Sequence, residues 1–348
     1  MSGVRVPFRP FIYSNLQYGT GVSPEYTYMP CINEQFKKQP MIHEKIPGTT
    51  YPHVFSRQGI DLYCSHAIDH LSTLEDHSIH MVLTDPPYFL SNMTNNWNPK
   101  TIKTKRTKKQ RINNLPAGMK FDPKQGKEFS RFFLKLSEEI CRVLVPGGFF
   151  LSFSQARLYH HLAITCENAG FWIRDMLTWH YIRQGQPKAF TLQHFIKNKK
   201  NISEEDRQSL LDLFEDKKTP QLTPMFESIM LAQKPVRKSL TQNFITWGVG
   251  LIDGRVCIDD KLPTTLFSVE KPSREERVGH PTQKPLALLK QLVSIFSFEG
   301  QTILDPFLGS GTTAVAALSL NRKCIGIEKE AEYMAMATQR INALLENT

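Results

Sequence analysis

The chain has 348 residues, 40% of them hydrophobic, enough for one large α/β domain with a smaller attachment and a sizeable core. A formal charge of +10 at pH 7 points to an anionic partner. The six cysteines (Cys31, Cys64, Cys141, Cys166, Cys257, Cys324) form no CxxC pair, no apolar run reaches membrane length and no signal-peptide pattern opens the chain; a soluble cytoplasmic protein without structural zinc, disulfide framework or membrane is expected.

Residues 1–55 carry prolines and aromatics (Pro7, Phe8, Pro10, Phe11, Tyr13, Tyr26, Tyr28) without periodicity. They read as an irregular arm that packs on the main body or on a second subunit, a homodimer being one arrangement it suits. From Ile60 the pattern sharpens: Asp61 to Cys64 predicts a short strand, and Ala67 to Leu74 a short helix with Ile68, Leu71 and Leu74 on one face.

Ile79 to Leu83 reads as a buried strand, stopped at Pro86-Pro87 because proline has no N–H for a ladder. Asp85, Pro86, Pro87 and Tyr88 therefore sit at a strand's carboxyl end, where open α/β sheets bind ligands. A carboxylate, a rigid carbonyl and an aromatic face together suit methyl transfer to the exocyclic amino group of a nucleobase. Such a nitrogen donates its lone pair into the ring and is a poor nucleophile. Asp85 and the Pro86 carbonyl can each accept one N–H and turn the lone pair outward. Tyr88 offers a stacking face, worth roughly 1–3 kcal/mol per base. A strand-ending turn with an ordinary aspartate has the same spelling, so this motif needs support from elsewhere in the chain.

A long polar segment, Ser91 to Lys127, follows. Seven of the twelve residues from Lys100 to Arg111 are basic: Lys100, Lys103, Lys105, Arg106, Lys108, Lys109 and Arg111. Alone this is a solvated charge run; beside an active site, a loop so long is usually functional or disordered. Lys127 to Leu144 predicts an amphipathic helix, with Phe129, Phe132, Phe133, Leu136, Ile140, Val143 and Leu144 at i, i+3, i+4 spacing. Pro146-Gly147-Gly148 is expected to stop it before a strand from Phe149 to Phe153. A further helix (Leu158 to Ala169) and strand (Trp172 to Trp179) complete an alternation that predicts a parallel sheet covered by helices.

Residues 183–221 read as an insertion, with Ser203 capping an amphipathic helix through Leu210, Leu211, Leu213 and Phe214. Phe226 to Leu231 returns as a strand, and Lys234 to Val278 shows no clear pattern. His280-Pro281-Thr282-Gln283-Lys284-Pro285 then leads into a helix that buries Leu288, Leu289, Leu292, Ile295 and Phe296.

Next come a strand, a glycine turn and a helix: Thr302-Ile303-Leu304-Asp305-Pro306-Phe307-Leu308-Gly309-Ser310-Gly311-Thr312-Thr313. A strand from Lys323 to Ile327 ends at Glu328, placed to grip ribose hydroxyls as the acid of a dinucleotide-binding unit does. The turn is not the pyrophosphate GxGxxG. With Asp305 just before it, a ligand bearing an ammonium fits better than a phosphate. S-adenosylmethionine combines an ammonium, a ribose and a sulfonium methyl.

These three segments, Asp85 to Tyr88, His280 to Pro285 and Asp305 to Thr313, resemble the motifs of the amino-methylating DNA methyltransferases. Their order, catalytic motif first and cofactor motif last, resembles the β class of that family, from about Gly59 to the carboxyl terminus without the insertion. The resemblance implies a Rossmann-like S-adenosylmethionine-dependent α/β fold, circularly permuted, with an inserted target-recognition region. The implied parts are an arm (1–55), a catalytic half (56–182, with the basic loop at 91–127), an insertion and recognition region (183–278) and a cofactor half (279–348).

By the same resemblance Phe307, Gly309 and Gly311 line the methionine and sulfonium region, Thr312 closes the turn, Asp305 meets the ammonium and Glu328 the ribose. Thr282, Gln283 and Lys284 sit near the cofactor's carboxylate end. An aspartate in the tetrad is typical of adenine N6 methylation, whereas cytosine N4 enzymes more often carry serine. The implied reaction is site-specific methylation of a flipped adenine in double-stranded DNA, with the basic loop on the phosphates. A restriction endonuclease is a compatible partner, and no metal is needed. Cytosine N4 methylation by the same site, RNA or protein-amide methylation, and an inactive DNA-binding subunit are the rival readings. One departure stands out: Ser65-His66 occupies the place where related sequences carry Gly-Asp, so His66 reads as a substituted wall residue at the adenine end.

Overall fold

The apolar runs of the sequence assemble into one nine-stranded sheet. The computed structural model describes residues 53–87, 125–182, 189, 191–197, 199, 201–220, 222–258, 260–280 and 282–346. Tyr88, the seven basic residues between Lys100 and Arg111, and all but the end of the 1–55 arm lie outside them.

In chain order the elements are β1 (His53–Arg57), β2 (Ile60–Cys64), α1 (Ala67–Leu71), β3 (Ile79–Thr84), α2 (Gln125–Val143), β4 (Leu144–Ser154), α3 (Tyr159–Asn168) and β5 (Trp172–His180). Then follow α4 (Gln193–Lys197), α5 (Glu204–Leu213), β6 (Phe226–Gln233), α6 (Leu240–Trp247), β7 (Leu266–Ser268), α7 (Leu286–Phe296), β8 (Thr302–Asp305), α8 (Thr312–Ser319), β9 (Lys323–Glu328) and α9 (Ala331–Glu346).

The strand order is β1-β2-β9-β8-β3-β4-β6-β5-β7. From β2 to β4 neighbouring strands are parallel. Alternation along each strand divides the core between two faces. Met81, Leu83, Ile303, Phe149 and Leu151 pack with α7, α8 and α9. Val82, Leu304 and Phe150 pack with α1, α2 and α3. This is the layered α/β architecture that the sequence implied, and β8, near the chain's end, lies beside β3 at the centre.

Two expectations are corrected. The sheet is mixed, because β6 runs antiparallel to both β4 and β5 and β1 antiparallel to β2. An antiparallel neighbour needs no crossover helix, so the chain can leave β5 and return between β5 and β4. Second, α2 ends at Val143, and Pro146-Gly147-Gly148 lies inside β4 rather than ahead of it. Gly147 makes this possible at a φ of 84°, its N–H donating to the Lys234 carbonyl. Ser203 caps α5 as expected, accepting the Asp206 N–H, and no residue of that helix is buried. β1 covers residues 53–57, and the strand expected from Phe226 is β6, which lies inside the sheet between β4 and β5. Among the described residues no helix is long and apolar enough to cross a membrane.

Candidate active site

The two central strands, β3 and β8, end side by side and deliver two acids. Thr84 closes β3 and is buried; Asp85 follows with a side chain 20% exposed, then buried Pro86 and half-buried Pro87. Asp305 closes β8 and is 3% exposed. Thr84 Oγ1 donates to Asp305 Oδ1 at 2.7 Å, Thr313 Oγ1 to Oδ2 at 2.6 Å and the Phe307 N–H to Oδ1 at 3.1 Å. Burial pushes the Asp305 carboxyl up to about 6, against the pull of these donors. Asp305 thus braces the turn against β3.

The glycine turn is held from the other side by Glu328. Its Oε2 accepts the Gly309 N–H at 2.9 Å and its Oε1 the Glu330 N–H at 2.9 Å. Burial raises this carboxyl while the two backbone donors lower it. Gly311 takes a φ of 81°, and a Cβ there would come within 2.8 Å of Ala337 Cβ. No larger residue fits without moving α9. Arg340, on α9, donates to the Ser310 carbonyl at 2.8 Å and to Thr312 Oγ1 at 2.9 Å. Phe307 is half-buried, its ring 6.0 Å from that of Phe132.

The segment before α7 divides its residues between structure and site. Gln283 Nε2 donates to the Glu276 carbonyl at 2.9 Å and its Oε1 accepts the Val278 N–H at 3.1 Å. Glu276 in turn accepts the Leu286 N–H at 2.7 Å at the start of α7. Thr282 is exposed. The His280 ring stands edge-on to Tyr333 at 4.5 Å, and a Cβ on Gly309 would lie 3.1 Å from its Nε2. Burial, aided by Lys284 and Arg340, pushes His280 down to about 4, so the ring is neutral at pH 7.

Lys284 reaches the end of β3. Its ammonium is hydrogen-bonded to Asp85 Oδ2, lies 3.4 Å from Glu227 Oε2 and sits 4.9 Å from the centre of the Phe153 ring. The side chain is 9% exposed. Burial disfavours its charge, but Asp85 and Glu227 outweigh that and hold it above the usual lysine value. A buried ammonium must find counter-ions, and these two carboxylates supply them.

The sequence reading missed Glu227, Tyr181 and Arg340. Tyr181 donates its hydroxyl to Glu227 Oε1 at 2.8 Å. A faint signal existed for Glu227: it is the lone charge in the apolar run of β6. His66 is exposed at the start of α1 and makes no side-chain cap. Its neighbour Ser65 donates its backbone N–H to the Glu328 carbonyl at 3.2 Å. The Ser65 and Tyr333 hydroxyls are buried and have no hydrogen-bond partner among the described residues.

The profile of the N6_N4_Mtase family, described as DNA methylase, matches residues 79–339, from the first residue of β3 into α9. The chain belongs to this family. It is 28% identical over 299 residues to the type II methyltransferase M.HindIII of Haemophilus influenzae, covering 80% of this chain and 94% of that one. It is 28% identical over 291 residues to the type II methyltransferase M2.DpnII of Streptococcus pneumoniae, covering 83% and 92%. Among solved structures the PvuII DNA methyltransferase (cytosine-N4-specific) shares the fold, with a TM-score of 0.55, 16% identity, and coverage of 84% of this chain and 89% of that one.

The DNA methyltransferase uses S-adenosylmethionine, and its residues fit that cofactor. The turn at Gly309 and Gly311 lets the backbone come close to a ligand. Buried hydroxyls at Ser65, which bonds the Glu328 backbone, and at Tyr333, which packs on His280, suit a polar ligand.

Proposed function

We propose that this methyltransferase methylates the exocyclic N6 of an adenine flipped out of double-stranded DNA. The observation that carries this reading is the aspartate at position 85, at the end of a strand tied to the glycine turn through the Thr84–Asp305 hydrogen bond. Bound S-adenosylmethionine supplies an electrophilic methyl on its sulfonium. Asp85 and the Pro86 carbonyl each accept one amino N–H, which points the nitrogen lone pair at that methyl, and Tyr88 stacks on the base.

Glu328 holds the ribose, Asp305 faces the ammonium, and Phe307, Gly309, Gly311 and Thr312 line the methionine end. Thr282 and His66 belong to the rim of the same site. Flipping costs a few kcal/mol, which phosphate contacts from the basic segment Lys100 to Arg111 offset. The irregular parts of 183–278, on either side of β6, read the base edges. The type II naming of the relatives supports a role beside a restriction endonuclease.

Nucleoside mass spectrometry of treated DNA tests the base. N6-methyladenine is the expected product. N4-methylcytosine alone would overturn the adenine assignment and leave the family intact.

A further inference from the structure

The antiparallel insertion of β6 has a chemical consequence. Parallel β3 and β4 present their carboxyl ends to the site, and a strand running the other way presents its beginning. Ser228 pairs with Ser154 at the end of β4, so Glu227 emerges at the same edge of the sheet as Asp85. There Lys284 takes both carboxylates at once. Tyr181 fixes the other Glu227 oxygen, and Lys271 lies over the Tyr181 ring at 3.9 Å.

Two carboxylates share one ammonium, so the Asp85–Lys284–Glu227 triad carries one net negative charge. Without Glu227, Lys284 would simply neutralise Asp85. Methyl transfer moves positive charge onto the amino nitrogen. Its lone pair forms the N–C bond, the C–S electron pair stays on sulfur, and the nitrogen is cationic until its proton leaves to Asp85. A fixed negative charge beside that nitrogen stabilises the transition state, where the nitrogen is partly cationic, more than the ground state, where the nitrogen is neutral and the charge lies on sulfur.

We propose that Glu227 is a positioning residue for methyl transfer: through Lys284 it orients Asp85 and keeps the site negative toward the amino nitrogen. This rests on the reading of Asp85 as acceptor of the amino N–H. Glu227 itself touches Lys284 and Tyr181.

The test compares Glu227→Gln, Glu227→Asp and Asp85→Asn in the full chain. Single-turnover methyl transfer is measured at saturating DNA, with S-adenosylmethionine affinity by calorimetry and melting temperature alongside. Glu227→Gln is nearly isosteric and should slow the transfer step at least tenfold. Cofactor affinity, KM for DNA and melting temperature should stay near those of the parent. Glu227→Asp, which restores the charge, should recover part of the rate. A parental rate in Glu227→Gln overturns the proposal. So does a loss that tracks cofactor affinity or melting temperature, or a failure of Glu227→Asp to exceed Glu227→Gln. Full activity in Asp85→Asn would instead remove the reading beneath it. An inactive Asp85→Asn with an unaffected Glu227→Gln would remove this inference alone.

Discussion

Thr84 and Asp305, 221 positions apart in the chain, share a buried 2.7 Å hydrogen bond that joins the end of β3 to the end of β8. The threonine donates to a buried carboxyl, which also accepts from Thr313, the second residue of the helix after the turn. Replacing Thr84 by valine keeps the shape and removes the donor. The loss should cost about 1.5–3 kcal/mol, the contribution of one hydrogen bond to a charged group, since the Phe307 N–H still donates to the same oxygen. Denaturant unfolding of Thr84→Val measures it; an unchanged midpoint would show that the bond contributes nothing to stability.

The pH dependence of Asp305 follows from its raised value. A carboxyl at about 6 when folded, against 3.8 in the free side chain, binds its proton more tightly in the folded state. Its stabilising contribution is therefore full below the unfolded value and is lost as pH rises through about 6. The cofactor's ammonium favours the ionised form, so S-adenosylmethionine affinity should weaken as pH falls below about 6. Calorimetric titrations between about pH 7.5 and 5 should show this step in the parent and not in Asp305→Asn. A step of the same size in both would assign it to another group.

Chemistry and cofactor binding should separate at Asp85 and Glu328. Asp85→Ala is expected to abolish turnover with S-adenosylmethionine affinity nearly unchanged. Glu328→Ala removes the acceptor of the Gly309 and Glu330 N–H groups as well as the proposed ribose contact. A charged hydrogen bond contributes about 1.5–3 kcal/mol, so affinity should fall roughly tenfold to a hundredfold. Equal loss of cofactor in both variants would make Asp85 structural.

Seven basic residues within Lys100 to Arg111 repel one another, and no acid in that window relieves them. As phosphate contacts they would release counterions, each adding roughly −0.9 to the slope of log affinity against log salt. Changing Lys105, Arg106, Lys108 and Lys109 to glutamine should weaken DNA binding at every sequence and make the slope shallower by about two to four. Cofactor affinity and preferred site should hardly move. An unchanged slope would reduce the segment to a solvated charge run, and an altered preference would mean that it reads bases.

The centre of this fold was legible in the chain because its signals are local. An apolar run stopped by Pro86-Pro87 marks β3. A glycine turn after Asp305 marks the β8–α8 corner, since the φ of Gly311 and its contact with Ala337 admit no side chain. The 3.6-residue spacing of Phe129, Phe133, Leu136 and Ile140 marks α2, whose buried face answers the sheet. The limits of β4 were misjudged because Pro-Gly-Gly stops a helix on average, while Gly147 here lets a strand bend through it.

What the sequence by itself determined, then, is the family and the cofactor, because each rests on short motifs whose backbone needs are carried by their own residues. The tertiary structure decided which charges meet. Lys284 belongs to one motif and Asp85 to another, and Glu227 to none; their encounter depends on β6 entering the sheet antiparallel, so that its first residues reach the edge where β3 and β4 end. No periodicity or spacing records that reversal. The decisive force is the need of a buried ammonium for counter-ions, which acts once the strands have brought both carboxylates within reach.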